Sequence, residues 1–316
     1  LFITIAIAQV IWGVGYTFTS GAIQAWITDE VGEEKASKAF LKGAQLGKYG
    51  ELIAIPFSMF IGYISLYLPI LLSGVLMLLL SLFLVIAMKE NGFKPVDTHE
   101  ESKFKIIKDS IKDIKKISKT QPLILYLLGI GLFYGLYSEG FDRLWTAHII
   151  NDFNITLVLN INSVLLIGII RGISLLLNIF VMRMMDKKMD FSAMDKVIRI
   201  LSFSALTTLF CLAGFGLIKN LWIVIVLFLV IEAMRSISSP LMDMWLNAQI
   251  NDSSIRATMF SVKEQVDSLG QIAGGPFVGL VGNIFSIRIA LFLSSILLSP
   301  VILLFEFVRK KVKHSK

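Results

Sequence analysis

The chain contains few charged residues for its length of 316. Only 17% of its residues are Asp, Glu, Lys or Arg, whereas a typical soluble domain carries about 25%. Hydrophobic residues make up 55% of the chain, and its mean hydropathy is +0.76. Because so few charges cannot cover the surface of such a chain in water, the composition excludes an ordinary soluble protein. The sequence predicts an integral membrane protein.

Cysteine and histidine are scarce as well. Cys211 is the single cysteine of the sequence, which excludes an internal disulfide and a thiolate metal site. The three histidines, His99, His148 and His314, are too far apart in sequence to show metal-ligand spacing. The sequence also lacks the Gly-x-x-x-x-Gly-Lys-Ser/Thr loop that binds nucleotide phosphates, which argues against ATP-driven activity. We predict no enzyme, no cofactor and no metal; an intramembrane enzyme or a lipid scramblase is the remote alternative.

Long apolar segments make up most of the chain. A helix needs about 20 mostly apolar residues to cross the hydrocarbon core of a bilayer. No segment shows the strict alternation of a membrane β-strand. We therefore predict an all-α integral membrane fold. The predicted spans, nine in number, are 2–28, 46–66, 68–88, 122–147, 158–182, 197–218, 221–246, 258–283 and 286–308.

The distribution of Lys and Arg explains the net charge of +7 without a nucleic-acid-binding surface. These residues collect after the first, third and fifth predicted spans and in the C-terminal tail, and the segments between are almost without them. Cytoplasmic segments collect positive charge in this way. We predict a multi-pass protein of the plasma membrane with a cytoplasmic C-terminus, and we expect the lipid bilayer, not nucleic acid, as its surroundings.

An internal repeat relates the first three spans to the last three. The segment from Gly50 to Gly62 matches the segment from Gly270 to Gly282 at an offset of about 220 residues. Both copies run in the same direction, and spans four to six have no counterpart. If the two halves are equal, about three spans precede Leu1, so that nine of about twelve helices are present. Chance similarity between apolar helices is the alternative.

The repeat suggests a division of the chain into four parts. Residues 1–88 are predicted to be the remainder of an N-terminal helical bundle, 122–308 a C-terminal six-helix bundle and 309–316 a basic cytoplasmic tail. Residues 89–121 between the bundles carry apolar side chains at helical spacing with lysines between them. They are predicted to form a basic amphipathic linker on the inner leaflet; a partner-protein site is the alternative.

Several motifs resemble those of the major facilitator superfamily, and within it the drug:proton antiporters of the macrolide and tetracycline type. They are Gly15 to Ala22 with Trp26 and Asp29, Trp245-Leu246-Asn247, Arg256 to Ser261, and Gly270 to Gly279. The resemblance covers family helices four to twelve and implies a transporter fold. The antiporter glycine–proline motif of the family is better kept in the second half than at its usual place in the first. We expect close helix packing and rocking at Gly270, Gly274, Gly275, Pro276, Gly279, Gly50 and Pro56; tight packing without motion is the alternative.

Charged residues inside the predicted spans mark candidate sites, since each costs about 2.5–3.5 kcal/mol to insert into a bilayer. Glu232 and Arg235 are three residues apart and share a helical face, and Glu51 is the repeat mate of Gln271. Arg171 is expected to be a counter-charge to one of the acids. These five residues are candidates for proton coupling or substrate binding. A permanent Glu232–Arg235 ion pair is the alternative.

Two further groups lie nearer the span ends. Asp29, Asp243, Glu264, Asp267 and Arg256 lie toward the predicted cytoplasmic side and are candidates for a gate of interhelical contacts. For Glu264 and Asp267, binding and release of a proton is the alternative. Glu139, Asp142 and Arg143 lie toward the opposite end of span four among aromatic residues. This second group is a candidate for the outer mouth of a substrate path, and an interfacial aromatic belt is the alternative.

The resemblance implies a secondary active transporter. It would export lipophilic, drug-like small molecules in exchange for protons by alternating access, with a small-molecule substrate and protons as its partners, and act as a monomer. A nutrient or metabolite symporter or uniporter of the same fold is the alternative. A non-transport membrane protein is the remote one.

Overall fold

The computed structural model describes residues 2–19, 21–65, 67–88, 122–153, 163–188, 194–250 and 255–314. The predicted linker 89–121 lies outside the described residues. The helices in the described ranges are α1 (Phe2–Thr19), α2 (Ala22–Val31), α3 (Glu33–Ile64), α4 (Leu68–Ala87), α5 (Pro122–Asp152), α6 (Ser163–Lys188), α7 (Met194–Leu217), α8 (Leu221–Asn247), α9 (Arg256–Ile284), α10 (Ile287–Leu298) and α11 (Pro300–His314).

The structure confirms an all-helical, multi-pass architecture. By length and apolar composition, six helical stretches of the described residues can cross a membrane: Leu68–Ala87, Leu123–Asp152, Leu166–Lys187, Met194–Leu217, Leu221–Asn247 and Ile287–Val312. The predicted spans 46–66 and 258–283 are also helical but do not meet the same measure, and span 2–28 contributes the shorter apolar helix Ile7–Tyr16. The predicted count of nine spans is therefore not established.

The first predicted span is not one continuous helix. Gly21 adopts a positive φ of 75° between α1 and α2. A Cβ at Gly21 would fall on the carbonyl of Ala257 and 2.7 Å from the backbone nitrogen of Ser261, both in α9. Only glycine therefore fits both this backbone conformation and this close approach between α2 and α9.

The segment predicted as a loop after this span is helical. After Gly32, which has a φ of 82°, α3 begins at Glu33 and continues to Ile64 without interruption. The stretch from Glu33 is rich in Glu, Lys and Ala, which favour helix, and Ala36, Phe40 and Leu41 are buried on one side of it. The lysines therefore lie on a helical extension of the second predicted span.

The last predicted span is divided into two helices at Ser299. Proline lacks the backbone N–H of an interior helical residue, so Pro300 begins α11 immediately after α10. The helix continues through His314, so the described basic residues after position 308 are helical.

Two side chains cap helices that begin near each other. Asn220 Oδ1 accepts hydrogen bonds from the backbone N–H groups of Trp222 and Ile223 at 3.0 and 3.2 Å, at the start of α8. Ser286 Oγ accepts from Ile289 N at 3.2 Å, at the start of α10. Caps of this kind stabilise a helix start by about 1 kcal/mol, and they explain why both helices begin where the sequence is locally polar.

We name the two ends of the bundle by their charge. The lysine-rich end holds the C-terminus of α2 and α8 and the start of α9, which contact one another through Asp29–Arg256 and Thr28–Asn247. The lysine-poor end holds the C-terminus of α5 and the start of α10, which are joined by an Asp152–Arg288 ion pair at 3.4 Å.

Helices α5 to α11 enclose a core rich in aromatic side chains. Trp145 stacks on Phe228 with 4.3 Å between ring centroids, and Phe141 meets Phe215 edge-on at 5.5 Å. Such pairs contribute about 0.5–1.5 kcal/mol each beyond their buried area. In contrast, α4 buries none of its described residues, and Val85 and Ile86 are each 84% exposed. An apolar outer surface of this kind suits lipid.

Glycines bring α5 and α9 into backbone contact. A Cβ at Gly270 would fall on the carbonyl of Leu132, and a Cβ at Gly274 would fall on the carbonyl of Leu136. Small residues at such crossings allow close packing of membrane helices. Gly270 and Gly274 of the predicted motif thus lie at this crossing, whereas a Cβ at Gly279 or Gly50 would meet no described atom within 4 Å.

Candidate functional site

A cavity of about 1150 Å³ lies between α2 and α3 on one side and α5, α6, α8 and α9 on the other. Its walls therefore come from both predicted bundles. Nine of the thirteen polar and charged candidates chosen from the sequence line this one cavity. The charged residues that line it are Lys48, Glu51, Asp142, Arg171, Glu232, Arg235, Asp243, Lys263, Glu264 and Asp267.

Arg171 of α6 binds two carboxylates on opposite sides of the cavity. Its Nη2 donates to Glu51 Oε1 of α3 at 3.0 Å, and its Nη1 donates to Glu232 Oε2 of α8 at 2.5 Å. Glu51 also accepts from Lys48 Nζ at 2.8 Å, one helical turn away. Arg171 and Glu51 are about one third exposed, so water in the cavity screens these pairs in part. The arginine thus links α3 to the second bundle.

Arg235 continues this chain of ion pairs along α8. Its guanidinium group donates to both carboxylate oxygens of Asp142, at 2.6 and 2.7 Å, and to Glu232 Oε1 at 3.2 Å. The group also lies over the ring of Phe141, 5.5 Å from the centroid. The two hydrogen bonds to Asp142 fix the orientation of the guanidinium group. Glu232 therefore lies between two arginines and not in a simple pair with Arg235.

The structure divides the predicted outer-mouth group. Asp142 faces Arg235 inside the cavity. Glu139 accepts from Arg143 Nε at 2.7 Å, and the side chain of Arg143 is 78% exposed. Glu139 also lies against α9, where a Cβ at Gly275 would approach its Cγ at 2.7 Å. Successive side chains of α5 point in different directions around the helix axis, so residues that are close in sequence face different surroundings.

Two contacts join the predicted bundles at the lysine-rich end. Asp29 Oδ1 of α2 accepts from Arg256 Nη1 of α9 at 2.7 Å, and Arg256 is only 3% exposed. Nearby, Thr28 Oγ1 donates to Asn247 Oδ1 of α8 at 3.3 Å. Asp29 and Arg256, both gate candidates from the sequence, therefore contact each other across the two predicted bundles.

Of the other three gate candidates, Glu264 also reaches the first bundle, through a side-chain hydrogen bond with Tyr16 of α1. Lys263 Nζ donates to Asp243 Oδ1 at 2.5 Å and to Glu264 Oε1 at 3.0 Å, all within the second bundle. Asp267 Oδ2 accepts from Gln271 Nε2 at 2.7 Å, one turn along α9. Apart from Tyr16, all of these side chains line the cavity.

Sequence reasoning missed several uncharged lining residues. Tyr134 and Tyr137 have ring centroids 5.9 Å apart on the α5 wall. Asn178 is 1% exposed, and its Oδ1 has no hydrogen-bond partner among the described residues. Asn178 follows Arg171 by seven residues, about two helical turns, so its place on the same face of α6 was a usable signal. The tyrosines resembled ordinary aromatic packing residues and gave no such signal.

The described residues contain no group of three His, Cys, Asp or Glu side chains arranged to hold a metal ion. The cavity instead combines apolar and aromatic walls with opposite charges from several helices. Such an arrangement can bind a small molecule and can exchange protons at carboxyl groups.

Comparison with known proteins identifies the family. The profile of the Major Facilitator Superfamily matches residues 1–251. The chain belongs to the Major Facilitator Superfamily. It is similar to YxaM, an uncharacterized MFS-type transporter of Bacillus subtilis (strain 168), with 24% identity over 307 residues, which cover 96% of this chain and 73% of that protein. The superfamily predicted from the sequence motifs is thus confirmed, and the protein is a multi-pass membrane transporter and not a typical enzyme.

Proposed function

We propose that this superfamily member exports lipophilic, drug-like small molecules in exchange for protons by alternating access. The observation that carries the proposal is the position of Arg171 between Glu51 of α3 and Glu232 of α8. A cation shared by carboxylates of both predicted bundles forms a contact that can break and re-form as the bundles move. Relative motion of two bundles around a central site is the basis of alternating access.

The cavity supports a substrate of drug-like size. Its volume of about 1150 Å³ lies slightly above the range of about 300–1,000 Å³ for small-molecule sites. Much of its wall is apolar, with Ile23, Ile27, Phe40, Trp145 and Met182 among its residues. Such a wall favours a lipophilic substrate with few polar groups.

The two cross-bundle contacts suggest how access alternates. Asp29–Arg256 closes the lysine-rich end, while Arg171 holds the bundles together at the cavity. Opening toward the lysine-rich end requires the Asp29–Arg256 pair to separate. Proton uptake by a carboxyl group of the cavity changes its charge balance and with it the relative stability of the open and closed states.

The proposal also covers the membrane, the orientation and the oligomeric state of the protein. The lysine-rich end faces the cytoplasm of a plasma membrane, the C-terminus lies on that side, and the protein acts as a monomer. The positive-inside distribution of Lys and Arg in the sequence supports this orientation.

A nutrient or metabolite symporter or uniporter is the second candidate. The two cavity arginines favour it, because guanidinium groups bind anionic metabolites. Both arginines, however, are already bound by Glu51, Glu232 and Asp142. An anionic substrate would have to displace one of these carboxylates.

Flux measurements test the proposal. The full-length protein, reconstituted in proteoliposomes, is expected to move the lipophilic dye ethidium against a concentration gradient when a pH gradient is imposed. Cells that produce it are expected to accumulate less dye than control cells. If neither dye flux nor a response to the pH gradient is seen, the proposal is wrong. A nutrient importer would leave dye accumulation unchanged.

A further inference from the structure

The charges that line the cavity do not balance. Six of them are acidic and four are basic when all are ionised, which leaves an excess of two negative charges. The protein walls of the cavity make the effective dielectric constant lower than in bulk water, so an unbalanced carboxylate is costly there. The acids are Glu51, Asp142, Glu232, Asp243, Glu264 and Asp267; the bases are Lys48, Arg171, Arg235 and Lys263.

Five of the six acids have a cationic partner. Arg171, Arg235, Lys48 and Lys263 distribute their contacts among them at 2.5 to 3.2 Å. Asp267 is the exception within the described part of the chain, because its side-chain partner is the neutral amide of Gln271 at 2.7 Å. Each of the other five acids therefore has its charge offset by a direct ion pair. Asp267 forms none with a described residue; Arg235 and Lys263 act on it only at longer range. The other titratable groups that face it are Glu264, Tyr16 and Tyr137.

The internal repeat makes this difference clearer. Glu51 of α3 is the repeat mate of Gln271 of α9, and each has a partner one turn earlier in its helix. In α3 that partner is Lys48, so the pair carries no net charge. In α9 the partner is Asp267, so the pair carries one negative charge when the carboxyl group is ionised.

A change of charge at Asp267 can also affect the packing of α9 against α5, because Asp267 lies at the contact between these helices. A Cβ at Gly135 of α5 would fall on the backbone carbonyl of Asp267. One and two turns further along α9, Gly270 and Gly274 also bring the two backbones into contact. Asp267 therefore lies in the close crossing of α5 and α9.

We propose that Asp267 is the carboxyl group that binds and releases the transported proton. This assignment rests on the proposed proton-coupled function. The proton adds to Asp267 Oδ2 from water on one side of the membrane, and the same O–H bond breaks on release to the other side. Gln271 satisfies both forms: its N–H donates to the carboxylate, and after rotation of the amide its carbonyl accepts from the carboxylic acid.

Reconstituted protein tests the assignment through Asp267→Asn, with Glu306→Gln as the matched control. Glu306 pairs with Arg309 on the surface of α11, away from the cavity, and is 52% exposed. Asp267→Asn is expected to lower pH-driven ethidium flux about tenfold, within the usual range of coupling between sites. Exchange of labelled for unlabelled ethidium without a gradient should persist. Glu306→Gln should behave as wild type, and Asp267→Glu should restore much of the pH-driven flux.

A second measurement does not depend on the choice of ethidium. Infrared difference spectra of the purified full-length protein on acidification should show the C=O band of a carboxylic acid, and Asp267→Asn should lose it. The assignment is overturned if the band or the pH-driven flux persists in Asp267→Asn, or if a sodium gradient drives wild-type flux in place of a pH gradient. If wild-type protein shows no flux at all, the proposed function fails, and the infrared band decides the proton site alone.

Discussion

The guanidinium group of Arg171 lies 3.0 Å from the carboxylate of Glu51, although the two residues are 120 positions apart in the chain. Glu51 comes from the first predicted bundle and Arg171 from the second. Because the same guanidinium also binds Glu232, one side chain joins α3, α6 and α8 around the cavity.

Replacing Arg171 should impair transport more than it impairs folding. Arg171→Gln removes two charge-assisted hydrogen bonds that water in the cavity screens in part, while Glu51 and Glu232 keep Lys48 and Arg235 as partners. We expect dye flux to fall about tenfold or more, since about 1.4 kcal/mol corresponds to a factor of ten. Thermal unfolding in detergent should change little.

Arg171→Lys gives a graded comparison. A lysine ammonium group cannot reproduce the planar two-sided contact of a guanidinium group, so its flux should lie between those of wild type and Arg171→Gln. Arg309→Gln, at an exposed pair with Glu306, is the control. Equal flux in all three variants would show that the Arg171 bridge has no part in transport.

Adding a side chain at the α5–α9 crossing should destabilise the fold. A Cβ at Gly274 would overlap the backbone of Leu136, so Gly274→Ala should lower the free energy of unfolding by about 1–3 kcal/mol, as overpacking usually does. The midpoint of thermal unfolding of the purified protein measures this. Gly279→Ala is the matched control, since a Cβ there would meet none of the described atoms within 4 Å. A larger effect at Gly279 than at Gly274 would contradict the packing described.

Breaking the Asp29–Arg256 pair should favour opening of the lysine-rich end. Asp29→Asn removes the charge from a contact of 2.7 Å to a nearly fully buried arginine. In a Cys211→Ser background, a cysteine in place of the cavity residue Ile27 should then react faster with a membrane-impermeant thiol reagent. Glu34→Gln removes an exposed acid of the same helical end and is the control. Unchanged reactivity with Asp29→Asn would show that this pair does not close the cavity.

Loss of the His148 side chain should weaken the packing of α5 against α7. The ring is fully buried, with Nδ1 2.6 Å from Asp152 Oδ2 and Nε2 2.9 Å from the carbonyl of Phe215. His148→Leu leaves that buried carbonyl without its partner, which costs about 1–3 kcal/mol. Thermal unfolding in detergent should show the loss, whereas Asn151→Ala, at an exposed neighbour, should not. Equal midpoints for the two variants would contradict this role of His148.

Apolar length and motif spacing were enough to predict the superfamily, because lipid imposes long apolar helices on any chain that crosses it. They were not enough to locate the break at Gly21. The segment is apolar on both sides of that glycine, and its positive φ follows from contact with α9, which lies more than 200 residues later. The start of α3 at Glu33 was predictable from helix propensity, but its lysines were interpreted as a loop.

Sequence alone also gave the charged residues of the cavity but not their partners. The depth of Arg171 and Glu232 follows from counting residues along a span, whereas the pairing with Glu51 depends on how three helices are rotated. Asp142 illustrates the same limit, since it is adjacent in sequence to exposed Arg143 yet faces Arg235 in the cavity. Sequence distance does not encode the rotation of a helix about its axis.

The unequal number of acids and bases in the cavity has an electrical consequence. Moving one elementary charge across a membrane potential of about 100 mV involves about 2.3 kcal/mol of work. The membrane potential therefore favours the orientation of the empty carrier in which the two excess negative charges of the cavity lie nearer the positive side of the membrane. A proton on Asp267 halves that excess. Voltage, together with the pH gradient, would then set the rate at which the empty carrier returns.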